Sequence, residues 1–189
     1  LNKAAKYYTI MGHGSFAPGN ADGGLSTIEE KSLGAYSKSG SSTISGLIKP
    51  GDIPNKSGLF LLDIIPDGEP RFGFPNINDN VEITELIASG CHLILFTTGR
   101  GSVVGSAISP VIKVCANPDT YDRMSDDMDI NAGKVINTSA SLAEVAEEIY
   151  AKILATASGI PTVSEALGHH EFVIIYKTFE PIGPDCLVG

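Results

Sequence analysis

Thr97, Thr98, Gly99, Arg100, Gly101 and Ser102 place three hydroxyls and a guanidinium on one glycine-punctuated turn. They follow directly on the apolar run Leu93–Phe96, and Gly105 closes the stretch. A strand that breaks into glycines at its carboxyl end lets the backbone turn tightly and aim N–H groups outward, which suits an anion. Arg100 adds a permanently charged planar fork that grips a carboxylate, phosphate or sulfonate through two parallel hydrogen bonds. The ligand expected at this loop is small and negatively charged.

Two acidic clusters stand beside it in the chain. Pro18 to Gly34 is a glycine-rich stretch that delivers Glu29, Glu30 and Lys31 within one turn, and Asp126 to Gly133 carries Asp126, Asp127, Asp129 and Asn131. Each has an ordinary explanation. Acids at a helix start commonly form a solvated first turn that favours the helix dipole. The Asp-rich turn matches no EF-hand spacing. His169 and His170 are adjacent and point different ways on any regular element, and His13 in a glycine loop is expected to be structural. Only the TTGRG loop carries a function by itself, because three glycines and an arginine at a strand end have few purely structural uses.

The chain of 189 residues has a formal charge of −9, which argues against a nucleic-acid surface, since phosphate contacts need clustered Lys and Arg. An acidic protein that handles an acidic ligand must concentrate positive charge locally, which raises the interest of Arg100. No segment approaches the length of a membrane span, and the first residues lack the apolar core of a signal peptide. The chain begins at Leu1 rather than Met, as expected of a processed protein or a piece of a longer one. Cys91, Cys115 and Cys186 lie far apart and form no metal or disulfide pattern, and Cys91 and Cys115, beside apolar runs, are expected to be buried thiols in a reducing cytoplasm.

The elements that position these groups follow from patterning. Residues 1–57 read as a loop-rich amino-terminal part and 58–189 as an α/β core. A short helix opens near Ser26 and Thr27 and runs through Ser37. Buried strands are expected at 59–65, 91–97, 111–115 and 172–176. Helices are expected at 79–89, at 117–124 behind an Asn117–Pro118 start, and at 141–156 behind a Ser141/Glu144 capping box. Strands that are nearly continuous apolar runs, alternating with helices, indicate an α/β fold around a mostly parallel sheet. Ligands of such sheets bind outside the carboxyl ends of the strands, where Gly99 to Gly105 falls. The spacing G-R-G-S-V-V-G with no helix before Pro110 fails the dinucleotide fingerprint, so NAD binding is rejected.

Taken together, PGNADGGLSTIEEKSLG, ILFTTGRGSVVG and DMDINAGKVI resemble, in this order and spacing, the carboxyl-terminal catalytic region of the altronate/galactarate dehydratase family. The resemblance covers about Pro18 to Gly168. It implies a hydro-lyase that removes water from a sugar acid to give a 2-keto-3-deoxy product, and a Rossmann-like, mostly parallel sheet with unusual connectivity. It also implies a divalent metal, usually iron, with manganese or magnesium as alternatives, and a homo-oligomer with upstream domains or a small partner subunit. The absence of tryptophan and the long segment IIPDGEPRFGFPNINDN look more like the large subunit of sulfolactate sulfo-lyase, a relative that eliminates sulfite. A third reading, from another class, is a non-catalytic anion-binding or assembly module.

Both eliminations begin by removing a weakly acidic proton beside a carboxylate, so the enediolate needs strong electrostatic stabilisation. On that chemistry Arg100, with the Gly99 and Gly101 amides and the hydroxyls of Thr97, Thr98 and Ser102, is assigned to the substrate anion. Glu29 and Glu30 are assigned to metal ligation or base work, and Lys31 to an acid or anion contact. Asp127, Asp129 and Asn131 complete the metal site or orient its ligands. Arg100 is expected to face a cleft, with both acid clusters converging on it.

Overall fold

The computed structural model describes residues 2, 3, 6, 22, 24–65 and 78–173. Their contacts group them into two compact units, Leu1–Asn76 with Ile175–Gly189, and Ile77–Ile174. Both have parallel strands, and the fold is a mixed α/β one with helices flanking parallel sheets.

In the first unit, helix α1 (Ile28–Lys38) starts at Thr27, whose side chain accepts the Glu30 N–H. Strands β1 (Ile44–Ile48) and β2 (Leu59–Leu62) pair in parallel, with Gly46 opposite Phe60 and Ile48 opposite Leu62. Strand β1 was not expected, because Ser45 and Gly46 interrupt its apolar pattern. Strand β2 stops at Leu62, short of the expected residue 65, because Asp63 turns the chain: its Oδ1 accepts the Ile65 N–H at 3.2 Å. Its other oxygen takes the ammonium groups of Lys3 at 2.8 Å and Lys49 at 2.7 Å. Burial alone pushes this carboxyl up, but the two lysines outweigh it and hold it below its ordinary value.

The second unit carries helix α2 (Asp79–Ala88), strands β3 (Ile94–Thr98) and β4 (Val111–Cys115), helix α3 (Pro118–Arg123) and strand β5 (Ile130–Asn131). Helices α4 (Lys134–Asn137), α5 (Leu142–Ala157) and α6 (Val163–Ala166) follow. The sheet order is β3-β4-β5, all parallel. Every residue of β4 is buried, because α2 covers one face and α5 the other. Ile83, Leu86 and Ile87 pack with Ile94 and Val111 on the first face, and Ile149 and Ile153 with Ile112, Val114 and Ile130 on the second.

The expected uniform burial does not extend to β3. Among the described residues β3 is an edge strand, and Leu95 is 44 % exposed because α5 packs over β4 and β5 instead. The expected capping box at α5 is present, Ser141 and Glu144 binding each other's backbone, and Asn117 caps α3 as read. The last expected strand is not seen at Phe172 and Val173, and 174–176 lie outside the described residues. Cys115 is buried and Cys91 half-buried, both free thiols; Cys186 and His13 lie outside the described residues. Among the described residues no helix is long and apolar enough to cross a membrane.

Candidate active site

The TTGRG loop is a tied turn. Thr98 Oγ1 accepts the Gly101 N–H at 3.0 Å, and the Gly99 carbonyl accepts the Thr120 hydroxyl of α3 at 2.9 Å. Gly101 sits at φ +85, where only glycine is unstrained, and a Cβ there would run into the Met124 sulfur. The Gly101 amide, expected to bind substrate, is therefore spent inside the turn. Arg100, expected to face a cleft, is exposed, as are Thr97 and Gly99. The turn presents its guanidinium outward because the residues on either side of it are the ones held against α3.

A cleft of about 380 Å³ opens next to the loop, lined by Asn78, Asp79, Asn80, Ser102, Val103, Val104, Glu171 and Val173. Helix α2 runs back into β3 through Ser89 and Gly90, which sets its amino end beside the carboxyl end of that strand. Of the loop residues expected to bind a ligand, Ser102 lines this cleft and Thr97 to Gly101 do not. The Asn78 side chain caps α2 by accepting the Val81 N–H at 3.2 Å. The Asn80 Oδ1 is enclosed and has no hydrogen-bond partner among the described residues. Glu171 is oriented by the Gly105 N–H, which donates to its Oε2 at 3.0 Å. Gly105 must be glycine for space: a Cβ would meet the backbone of His169. The Nδ1 of His169 pairs with the Val103 carbonyl, so this histidine fastens the wall of the cleft.

Asp129 occupies a different place from the one expected. Its Oδ2 accepts the Lys113 N–H at 2.9 Å, and its Oδ1 accepts the Val163 N–H at 3.0 Å and pairs with Lys152 at 2.9 Å. That carboxylate, whose side chain is 0 % exposed, fastens β4 to α5 and α6. Asp127 is half-buried, and Asn131 faces Cys115 from one side as Thr98 does from the other. The Asn131 Oδ1 is enclosed without a hydrogen-bond partner among the described residues. Glu29, Glu30 and Lys31 belong to the first unit and are exposed. The Glu30 carboxylate is taken by the N–H and hydroxyl of Ser26, which lower its pKa.

Patterning passed over Lys113. It lies in the middle of β4 with 0 % exposure, and its Nζ has no hydrogen-bond partner among the described residues. Burial pushes the amine's pKa down, and the charges of Asp127, Asp129 and Glu171 oppose that fall. A lysine inside VIKVC is a local conflict that an apolar-run count absorbs, yet buried unpaired amines are costly enough to be informative.

Residues 2–179 match the family described as D-galactarate/altronate dehydratase, C-terminal. The chain belongs to this family. It is 37 % identical over 157 residues to the (2R)-sulfolactate sulfo-lyase subunit beta of Chromohalobacter salexigens, covering 82 % of this chain and 38 % of that protein. It is 35 % identical over 162 residues to the galactarate dehydratase (L-threo-forming) of Escherichia coli, covering 85 % and 29 %. Against the altronate dehydratase of Bacillus subtilis it is 35 % identical over 143 residues, covering 76 % and 26 %. The chain thus spans less than two fifths of the length of each of these relatives.

For a dehydratase-family region, the described residues do not make the implied metal site. No three His, Cys, Asp or Glu side chains among them come close enough to hold an ion. The oxygens of Asp129 are engaged by three donors, and Glu30 is engaged by Ser26. The polar groups that line the family member's cleft are instead the helix start Asn78, Asp79 and Asn80, with Ser102 and the Glu171 carboxylate. Of these only Ser102 was singled out by type and spacing; Asn78, Asp79 and Asn80 come from the start of the helix before β3, and Glu171 from the chain after α6.

Proposed function

We propose that this chain is part of a lyase that removes a proton beside a carboxylate and expels the substituent on the next carbon. A sugar acid of the altronate or galactarate kind would lose water and give a 2-keto-3-deoxy acid. The reading rests on family membership, and the cleft at the carboxyl end of β3 is the observation that supports it. A volume of about 380 Å³ suits a small polyhydroxy acid. The amino end of α2 favours its carboxylate, the enclosed Asn80 oxygen awaits a hydroxyl proton, and the Ser102 hydroxyl lies beside them.

In this reading the chain binds and orients. Arg100 on its tied turn supplies a charged contact for the substrate anion as it enters. A divalent ion, iron in the first instance, would polarise the substrate carboxylate when bound, and the described residues offer it no donor set.

Sulfite elimination is kept as a second reading because a sulfolactate sulfo-lyase subunit matches 82 % of the chain. The deciding experiment incubates the anaerobically prepared full-length protein with altronate, galactarate and (2R)-sulfolactate, and measures 2-keto acid and sulfite separately. A 2-keto-3-deoxy acid from either sugar acid supports the hydro-lyase; pyruvate with sulfite supports the second reading. No turnover of any of them would leave the anion-binding module standing in place of both.

A further inference from the structure

We propose that Glu171 is the residue that takes the substrate's proton in this cleft, and that Lys113 is a positioning residue that supplies the buried positive charge behind it. The inference rests on the lyase reading above and assigns residues that its motifs do not contain.

Three observations meet at Glu171. It lines the cleft together with the amino end of α2 and with Ser102. It is the carboxylate of that lining fixed by a backbone donor, the Gly105 N–H at 3.0 Å on Oε2, which leaves Oε1 for a reacting atom. And it is one of three carboxylates whose charge acts on Lys113, a fully buried amine with no hydrogen-bond partner among the described residues. Of the other two, Asp129 is engaged at both oxygens, so its charge already has Lys152. Asp127 is not part of the cleft lining, so Glu171 is the member of the group that lines this cleft.

The arrangement answers a physical difficulty. A carboxylate base repels an anionic substrate, and the repulsion grows as water leaves the site. The Lys113 amine, buried in β4 and acting on this carboxylate, offsets that repulsion without touching the substrate. In the step itself, the Glu171 carboxylate accepts the hydrogen on the carbon next to the substrate carboxylate as a proton. The C–H electron pair forms the enediolate, and the leaving group departs from the next carbon with the C–O or C–S bonding pair. Hydroxide takes up a proton to leave as water, or sulfite leaves as such. The enol then takes a proton on carbon and becomes the 2-keto acid, so no oxidant or second substrate is needed.

The test compares Glu171→Gln, Glu171→Asp and Lys113→Met with wild type in the full-length protein, on whichever acid wild type turns over. Glu171→Gln is expected to lower kcat by about 100-fold or more, the usual share of a general base, with KM unchanged or lower. Glu171→Asp should recover part of that loss. Lys113→Met is expected to raise KM and lower kcat together, a split that a merely structural lysine would not produce in a folded protein. If Lys113→Met does not fold, Lys113→Arg is read instead, and a folded Arg variant should keep KM near the wild-type value. A kcat for Glu171→Gln within about tenfold of wild type overturns the base assignment. Folded Lys113→Met with wild-type kcat and KM, or folded Lys113→Arg with a raised KM, overturns the role of the lysine. A wild-type protein inert towards every acid overturns the lyase reading first and this inference with it.

Discussion

Lys113 and Asp129 are bonded to each other twice, the Lys113 N–H to the Asp129 carboxylate at 2.9 Å and the Asp129 N–H to the Lys113 carbonyl at 3.0 Å. The second bond continues the β4–β5 ladder one residue before Ile130, and the first turns the aspartate side chain back onto the same strand. With Val163 and Lys152 on its other oxygen, Asp129 joins four segments of the second unit. Removing it would leave two amide donors without partners and an ammonium without its countercharge. Asp129→Ala is therefore expected to cost about 3 kcal/mol of stability, read by urea denaturation followed by circular dichroism. A loss below about 1 kcal/mol would mean that the carboxylate is not a structural fastener and would return it to the list of metal ligands.

The contrast between Asp129 and Lys113 shows what patterning can and cannot read. The run Val111–Cys115 is apolar enough to mark a buried strand, and the capping residues Asn117 and Ser141 mark two helix starts, all of which the structure contains. The two-residue strand β5 has no such signal, since a pair of residues shows no alternation. Asp126 to Gly133 looks like one acidic loop in one dimension, yet Asp129 joins the interior of the sheet while Asn131 stands at its carboxyl end. Glu171 was invisible for another reason: the residues before it make α6, and only the fold of that short helix brings the next turn back to Gly105.

Arg100 is exposed on a turn that is secured by its neighbours, Thr98, Gly99 and Gly101, and not by its own side chain. Arg100→Lys should consequently leave stability within about 0.5 kcal/mol of wild type, as for other exposed substitutions. It keeps the charge and loses the fork, so a substrate contact would weaken and KM should rise about tenfold. Thermal denaturation and steady-state kinetics of the full-length protein check the two halves separately. An unchanged KM would remove Arg100 from the substrate.

Asp63 gives the first unit a defined pH response. Lys3 and Lys49 hold its carboxyl below its ordinary value, so in acid the folded form binds fewer protons there than the unfolded form. The stability it contributes is fully present above the ordinary aspartate value of about 3.9 and is lost as pH falls through the lower folded value. Hydrogen exchange of the β2 amides should accelerate across that acid window in wild type. In Asp63→Asn, exchange should be faster at neutral pH and show less change across the same window. Parallel pH curves for the two proteins would mean that the lysines do not stabilise the charged carboxylate.

Gly105 links the glycine loop to the cleft, and its substitution tests that link. Its N–H holds Glu171, and its missing side chain lets the loop lie against the His169 backbone. Gly105→Ala places a methyl group where the His169 carbonyl now sits, and a backbone neighbour cannot swing aside as a flexible side chain would. Either the loop or residues 169–171 must shift. Both movements lengthen the 3.0 Å bond to Glu171. Crowding of this kind typically costs about 1–3 kcal/mol, so the variant should still fold at moderate temperature. At that temperature kcat should fall by about tenfold or more with little change in KM, because a displaced carboxylate loses its alignment with the reacting hydrogen. The measurement pairs kinetics with urea denaturation of the same preparation. A variant that is less stable yet retains wild-type kcat would show that the Gly105–Glu171 bond serves the fold alone.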